Sequence, residues 1–326
     1  MPRRRPRLRL LVTIIVLALA AMTLVRPFTS SPTVGHWRSV EGRQAYLSAY
    51  DEAMRALPAP TATREVPTRY GTADVAAWTS PDHRGRTPVV LLPGTRSGIP
   101  MWAEQVREIS RHRDVYAFDA VGDAGRSTQT VPITEQAQQG DWVEDALAGL
   151  GLARVHTVGH SFGGATAMAH ARSHPGRVAG LTLLEPAFTL AYPPPAIFLW
   201  ATVATLPFVP QSWRDHALAR IGGVDVSEVR SDDPMGRMID LATAHYSGHA
   251  PTPAPVGEDV LRSLPMPVYV AIADRDSLAG GEKAAEQARL IPGATVQTWP
   301  NTTHSLPMQA GPALTDRLES WWSVLK

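Results

Sequence analysis

Gly159-His160-Ser161-Phe162-Gly163 sets a serine between two glycines at a point where the chain changes character. Arg154 to Val158 before it read as a strand rich in β-branched residues, and Gly164 to Ala171 after it as a helix of small residues. A serine on such a sharp turn presents its hydroxyl for attack, and the glycines are needed because any Cβ would clash where helix and strand cross. The new helix also aims N–H groups and a positive dipole end at the reaction centre. A serine hydroxyl is a poor nucleophile until a base takes its proton and an acid holds that base in the right tautomer. Of 11 histidines, His304 alone falls in a loop between the last expected strand and the closing helix, which makes it the expected base. The acid has three candidates. Asp276 is preferred, since Asp274-Arg275-Asp276 follows the apolar run Val268–Ala273 at the carboxyl end of a strand, where parallel sheets place active residues. Asp274 is the near competitor, and Glu185, ending the preceding strand, is the third. Two backbone donors must face the developing oxyanion. The N–H groups of Phe162, directly after the serine, and of Thr95, after Pro93-Gly94, are the expected pair.

These residues are carried by an alternation of strands and helices. Strands are expected at Thr68–Trp78, Thr87–Leu92, Val115–Asp119, Val178–Leu184, Val268–Ala273 and Ala294–Trp299. Helices are expected at Gly42–Leu57, Pro100–Arg111, Ile133–Leu150, Glu282–Leu290 and Ala313–Leu325. Alternation of this kind means parallel strands joined by right-handed crossovers, with helices on both faces. The rhythm breaks between residues 187 and 256, a proline-rich stretch with helical segments and no convincing strand, read as a cap inserted between core strands. The resulting organisation is a signal peptide or anchor (1–26), an extension (27–62), a first core segment (63–186), the cap (187–256) and a second core segment (257–326).

Taken together, Leu91-Leu92-Pro93-Gly94, the loop Asp119 to Ser127, the Gly159–Gly163 elbow, Ala273-x-x-Asp276 and Thr303-His304 resemble the α/β-hydrolase superfamily, on its capped esterase and lipase branch. The resemblance spans residues 66–186 and 257–326. It implies an α/β fold, a mostly parallel doubly wound sheet with a helical cap, and a Ser161, Asp276, His304 triad. It does not imply the substrate. Two departures stand out: Pro93 replaces the customary histidine, and Asp123 lengthens the D-x-x-G-x-G-x-S loop by one residue. The chemistry expected is hydrolysis of a small or lipophilic carboxylic ester through an acyl-serine, with no cofactor and no metal. The alternatives are a cofactor-free perhydrolase or acyltransferase with the same triad, or a non-catalytic exported binding protein. Serine at the elbow disfavours epoxide hydrolysis and dehalogenation, which use aspartate there.

Composition narrows the partners. There is no cysteine, so neither disulfide nor thiol nucleophile is available. Residues 1–26 hold six arginines and no acid, leaving 25 basic against 30 acidic side chains in the remainder. The overall charge of +1 therefore conceals an acidic body, and a nucleic-acid partner is not expected. Arg3, Arg4, Arg5, Arg7 and Arg9 followed by the apolar run Leu10–Val25 have the order of a secretory signal or signal anchor, so export, with possible membrane association, is expected. His245 and His249 form an i, i+4 pair that could hold a metal on a helix, but no third ligand is placed for it. His160 is read as a packing residue touching the pocket. An apolar cap segment, Tyr192–Val209, is either the inward face of a lid or an acyl-binding surface.

Overall fold

The computed structural model describes residues 31–205, 209–223, 225–229 and 233–325. The expected amino-terminal signal lies outside them. In chain order the elements begin with β1 (Thr33–Trp37), α1 (Val40–Met54), β2 (Ala62–Thr68), β3 (Gly71–Trp78) and β4 (Val89–Leu92). There follow α2 (Ala103–Ile109), β5 (Val115–Phe118), β6 (Thr128–Gln129), α3 (Gln136–Gly149), β7 (Val155–His160), α4 (Phe162–Ser173) and β8 (Val178–Leu184). The cap carries α5 (Pro195–Thr205), α6 (Gln211–Gly222), α7 (Val226–Val229), α8 (Pro234–His245) and β9 (Tyr246–His249). The chain closes with α9 (Glu258–Arg262), β10 (Val268–Ala273), α10 (Glu282–Ala288), β11 (Thr295–Trp299) and α11 (Leu306–Ser323).

Nine strands form one sheet in the order β11-β10-β8-β7-β4-β5-β3-β2, with β6 on β3. From β11 to β5 every pairing is parallel, and only β3, β2 and β6 run antiparallel. The central strands β4, β7, β8 and β10 are buried along their whole length, as strands covered on both faces must be. One core cluster, with Trp142, Val143 and Met168, fills one face, and another, with Trp102, Tyr50 and Trp322, fills the other.

Register decides what meets at the carboxyl edge. Leu92 lies beside Gly159, His160 beside Leu184, and Leu184 beside Ala271. The residues leaving these strands, Pro93, Ser161 and Glu185, therefore emerge in one row.

Three sequence expectations change here. The cap does contain a strand: β9 pairs antiparallel with β1 of the extension, and α1 packs against α8. The extension is thus the cap's partner. His245 ends α8 and His249 lies in β9, so the two histidines do not share a helix face. Among the described residues no group of three or more His, Cys, Asp or Glu could hold a metal. The closing helix also starts earlier than expected, running through Pro312 with a kink at Gly311 (φ 45°). Leu306 and Pro307, in its first turn, are buried and extend it towards the site.

Three buried histidines bear on stability. His156 stacks on Trp322 at 5.3 Å and is pushed down to about 3, first by burial. Burial likewise pushes His160 to about 3 and His170 to about 4, the latter against the pull of Glu144. Each stays neutral when folded but binds a proton below about pH 6.5 when unfolded, so stability is lost as pH falls from 6.5 towards 3–4. Asp119 acts oppositely: burial raises it to about 7, and its protonation on acidification favours the fold. Asp123 and Asp74, also raised by burial, act with Asp119, whereas Glu144 and Asp145, held low by Arg177 and Arg69, lose stability on acidification as the histidines do. The histidines, whose shifts span pH 6.5 to 3–4, dominate between pH 7 and 4.5. Thermal unfolding should give a Tm several degrees lower at pH 4.5 than at pH 7; an equal or higher value would contradict this reading.

Candidate active site

Ser161 sits at φ 55°, ψ −122° between β7 and α4, a left-handed conformation uncommon for a non-glycine residue. Small neighbours permit it. A Cβ on Gly159 would lie 2.2 Å from the Gly163 carbonyl oxygen, and one on Gly163 would lie 2.2 Å from that of Leu92. Ser161 N–H donates to the Leu184 carbonyl at 3.1 Å, tying the turn to the end of β8.

His304 reaches the serine from the loop before α11, its Nε2 2.9 Å from Ser161 Oγ. Its Nδ1 lies 3.3 Å from Glu185 Oε2. The Glu185 side chain is fully buried, and its Oε1 accepts from Ala273 N–H at 2.7 Å and Ser277 Oγ at 2.8 Å. Its Oε2 accepts further bonds from Leu278 and Ala279 N–H. The β8 terminus aims this carboxylate, with Glu185 held at φ 46° and its N–H bonded to the Ala271 carbonyl.

The preferred acid of the sequence reading is therefore displaced. Asp276 is 32% exposed and pairs with Arg220 of the cap at 3.2 Å. Asp274 caps the histidine loop instead, accepting from Asn301 N–H at 2.9 Å and Thr302 N–H at 3.0 Å. The physical reason is register. Ser161 and Glu185 leave adjacent strands at one level, whereas the loop after β10 turns Ser277, not Asp276, inward. The third candidate is the carboxylate that meets His304.

His160 does more than pack. Its Nε2 lies 2.8 Å from the His304 carbonyl oxygen, and the rings are 4.9 Å apart. Burial, then the neighbouring His304, keeps it neutral, so a proton on Nε2 can donate to that carbonyl and steady the loop. Nδ1 is buried with no partner, as this tautomer allows.

Phe162 opens α4, where the first N–H groups have no intrahelical acceptor. Gly94 brings the opposite loop close: a Cβ there would lie 3.3 Å from Ser161 Cβ. Thr95 follows and, with Pro93, Phe162 and Gly163, lines a cavity of about 310 Å³ that extends to Tyr246 and Gly248 of β9. The expected oxyanion residues, Phe162 and Thr95, thus line one cavity.

The match to the alpha/beta hydrolase family covers residues 89–317, and the chain belongs to that family. It is 23% identical to the carboxylesterase YbfK of Bacillus subtilis (strain 168) over 87% of this chain and 95% of that one. It is 30% identical to the abhydrolase domain-containing protein abhd-5.2 of Caenorhabditis elegans over 56% of this chain, spanning 42% of that protein. Among solved structures, the carboxylesterase CesB (YbfK) from Bacillus subtilis superposes with a TM-score of 0.76 at 22% identity, covering 86% of this chain and 98% of that one.

Proposed function

We propose that this chain is a serine carboxylesterase. The observation that carries the reading is the continuous path Ser161 Oγ, His304 Nε2, His304 Nδ1, Glu185 Oε2, at 2.9 and 3.3 Å. Ser161 Oγ attacks the ester carbonyl carbon as His304 Nε2 takes its proton, giving a tetrahedral oxyanion that accepts from Phe162 and Thr95 N–H. The oxyanion collapses, the carbon–alkoxide bond breaks, and the leaving alkoxide takes the proton from His304. Water then attacks the acyl-serine by the same route, releasing the acid and restoring Ser161. Glu185 accepts from Nδ1–H throughout, keeping Nε2 free to receive a proton and stabilising the imidazolium. The carboxylesterase names of the B. subtilis relatives support this choice within the family. An assembled serine–histidine contact weighs against the non-catalytic alternative.

The cavity of about 310 Å³ beside the oxyanion residues is at the small end of the usual 300–1,000 Å³ for ligand sites, which favours short acyl groups. We further infer export, from the arginine cluster and apolar run of residues 1–26. One experiment addresses both. Full-length protein in fractionated cells is labelled with a fluorophosphonate, and kcat/KM is measured on p-nitrophenyl esters from acetate to palmitate. Labelling outside the cytoplasm and a kcat/KM at least about tenfold higher for butyrate than palmitate are expected. No labelling would remove the serine-hydrolase reading, a palmitate optimum the short-acyl reading, and cytoplasmic label the export reading.

A further inference from the structure

The loop that carries Thr95 is a strained turn. Ser97 N–H donates to the Gly94 carbonyl at 3.2 Å, closing a four-residue turn with Thr95 and Arg96 in its centre. Arg96, the third residue, has φ 62°, whereas Thr95 is not among the residues of positive φ. A positive φ at that position alone is the type II pattern, which normally takes glycine or asparagine. An arginine there favours the type I form, reached by flipping the peptide between Thr95 and Arg96. That flip would reverse the Arg96 N–H and turn the Thr95 carbonyl oxygen the opposite way.

Two side chains oppose the flip: Ser97 Oγ donates to the Thr95 carbonyl at 3.3 Å, and Asp123 makes the shorter bond. Arg96 N–H, which belongs to this central peptide, donates to Asp123 Oδ2 at 2.6 Å. Asp123 Oδ1 is held in turn by Ala124 N–H at 2.7 Å. The loop bearing Asp123 is itself fixed. Buried Asp119 at its start accepts from Arg126 N–H at 2.7 Å, and Ser127 Oγ donates to the Asp119 carbonyl at 2.7 Å. Asp119 also accepts from Ile99 N–H at 2.9 Å, at the far end of the same Thr95-bearing loop. Two aspartates of one loop thus clamp both ends of the other, and Asp123, Thr95 and Arg96 all line the cavity that Phe162 also lines.

We propose that Asp123 is a positioning residue for the oxyanion loop: by accepting the Arg96 N–H it keeps the Thr95 carbonyl oxygen from turning to the cavity side that this N–H now faces, where an acceptor beside the Thr95 donor would oppose the developing oxyanion. This rests on the esterase reading and on Thr95 as the second donor. It also joins two oddities of the sequence. Pro93 stands where a histidine is customary, and the additional residue in the neighbouring loop is the aspartate that secures the turn after that proline.

The test compares Asp123→Ala in the full-length wild-type and Arg96→Gly backgrounds, each referred to its own parent. Glycine adopts the positive φ without strain, so in that background the turn no longer depends on the carboxylate. In the arginine background kcat should fall about 10- to 100-fold, less than outright removal of an oxyanion donor, with KM within about threefold. In the glycine background the loss should shrink to about fivefold or less, a coupling that generic damage to the loop would not produce. Equal losses in the two backgrounds, or a loss carried by KM, would overturn the proposal. Should Asp123→Ala fail to accumulate, Asp123→Leu, close in shape but without an acceptor, replaces it in both backgrounds; greater loss beside arginine is again expected, and equal losses, including none, overturn it. Absence of ester turnover in the wild type would instead overturn the esterase reading, and this inference with it.

Discussion

Ser161→Ala is expected to lower kcat on p-nitrophenyl butyrate by about 10⁵–10⁶-fold and to abolish fluorophosphonate labelling, because nucleophile and base act as one unit. His304→Ala should be nearly as damaging, and the double variant little worse than either single one. Ser161→Ala removes one buried oxygen whose only side-chain partner among the described residues is His304. It also relieves nothing of the backbone strain, since alanine at φ 55° is no easier than serine. Far-ultraviolet circular dichroism and Tm should therefore stay close to wild type while turnover vanishes. Wild-type turnover in a folded Ser161→Ala protein would place the chemistry elsewhere.

How legible this site was in the sequence depended on how local each feature is. Ser161 announces itself because the glycines, the preceding strand and the following helix all lie within a dozen residues. Strand Val178–Leu184 is observed with the bounds read from its apolar run. His304 was reachable because chain order places it after the last strand. Glu185 was only one of three acids, since its role depends on the level at which β7, β8 and β10 end relative to one another, and no short window encodes that. The residues Asp274-Arg275-Asp276 looked equally suitable, yet one carboxylate caps a neighbouring loop and another faces an arginine of the cap. Strand β9 is not legible in the sequence for a related reason. It is four residues long, contains Gly248, and exists only by pairing with β1, some 200 positions earlier. The sequence places the start of the closing helix after Pro312 because a proline ordinarily interrupts a helix, whereas here Gly311, with its positive φ, absorbs the kink.

Glu185→Gln decides which acid serves His304, and the structure makes the outcome specific. The carboxylate now accepts on both oxygens: from Ala273 N–H and Ser277 Oγ on one side, and from His304, Leu278 and Ala279 on the other. Glutamine keeps the shape but replaces one oxygen by an NH2 donor. If that donor faces His304, Nδ1 must give up its proton and the proton sits on Nε2, where it blocks transfer from Ser161. If it faces the other way, it meets Ala273 N–H donor to donor in a fully buried site. Both orientations are costly, so kcat should fall by about 10²–10⁴-fold and stability by about 1–3 kcal/mol. Asp276→Asn removes only a partly exposed ion pair with Arg220, of the kind worth about 0–1 kcal/mol, and should leave kcat within about threefold of wild type. Steady-state kinetics and thermal unfolding of the two purified variants give the comparison directly. A larger loss of kcat in Asp276→Asn than in Glu185→Gln would mean that the loop after β10 rearranges during turnover to bring Asp276 onto His304, and the strand-end carboxylate would then be structural.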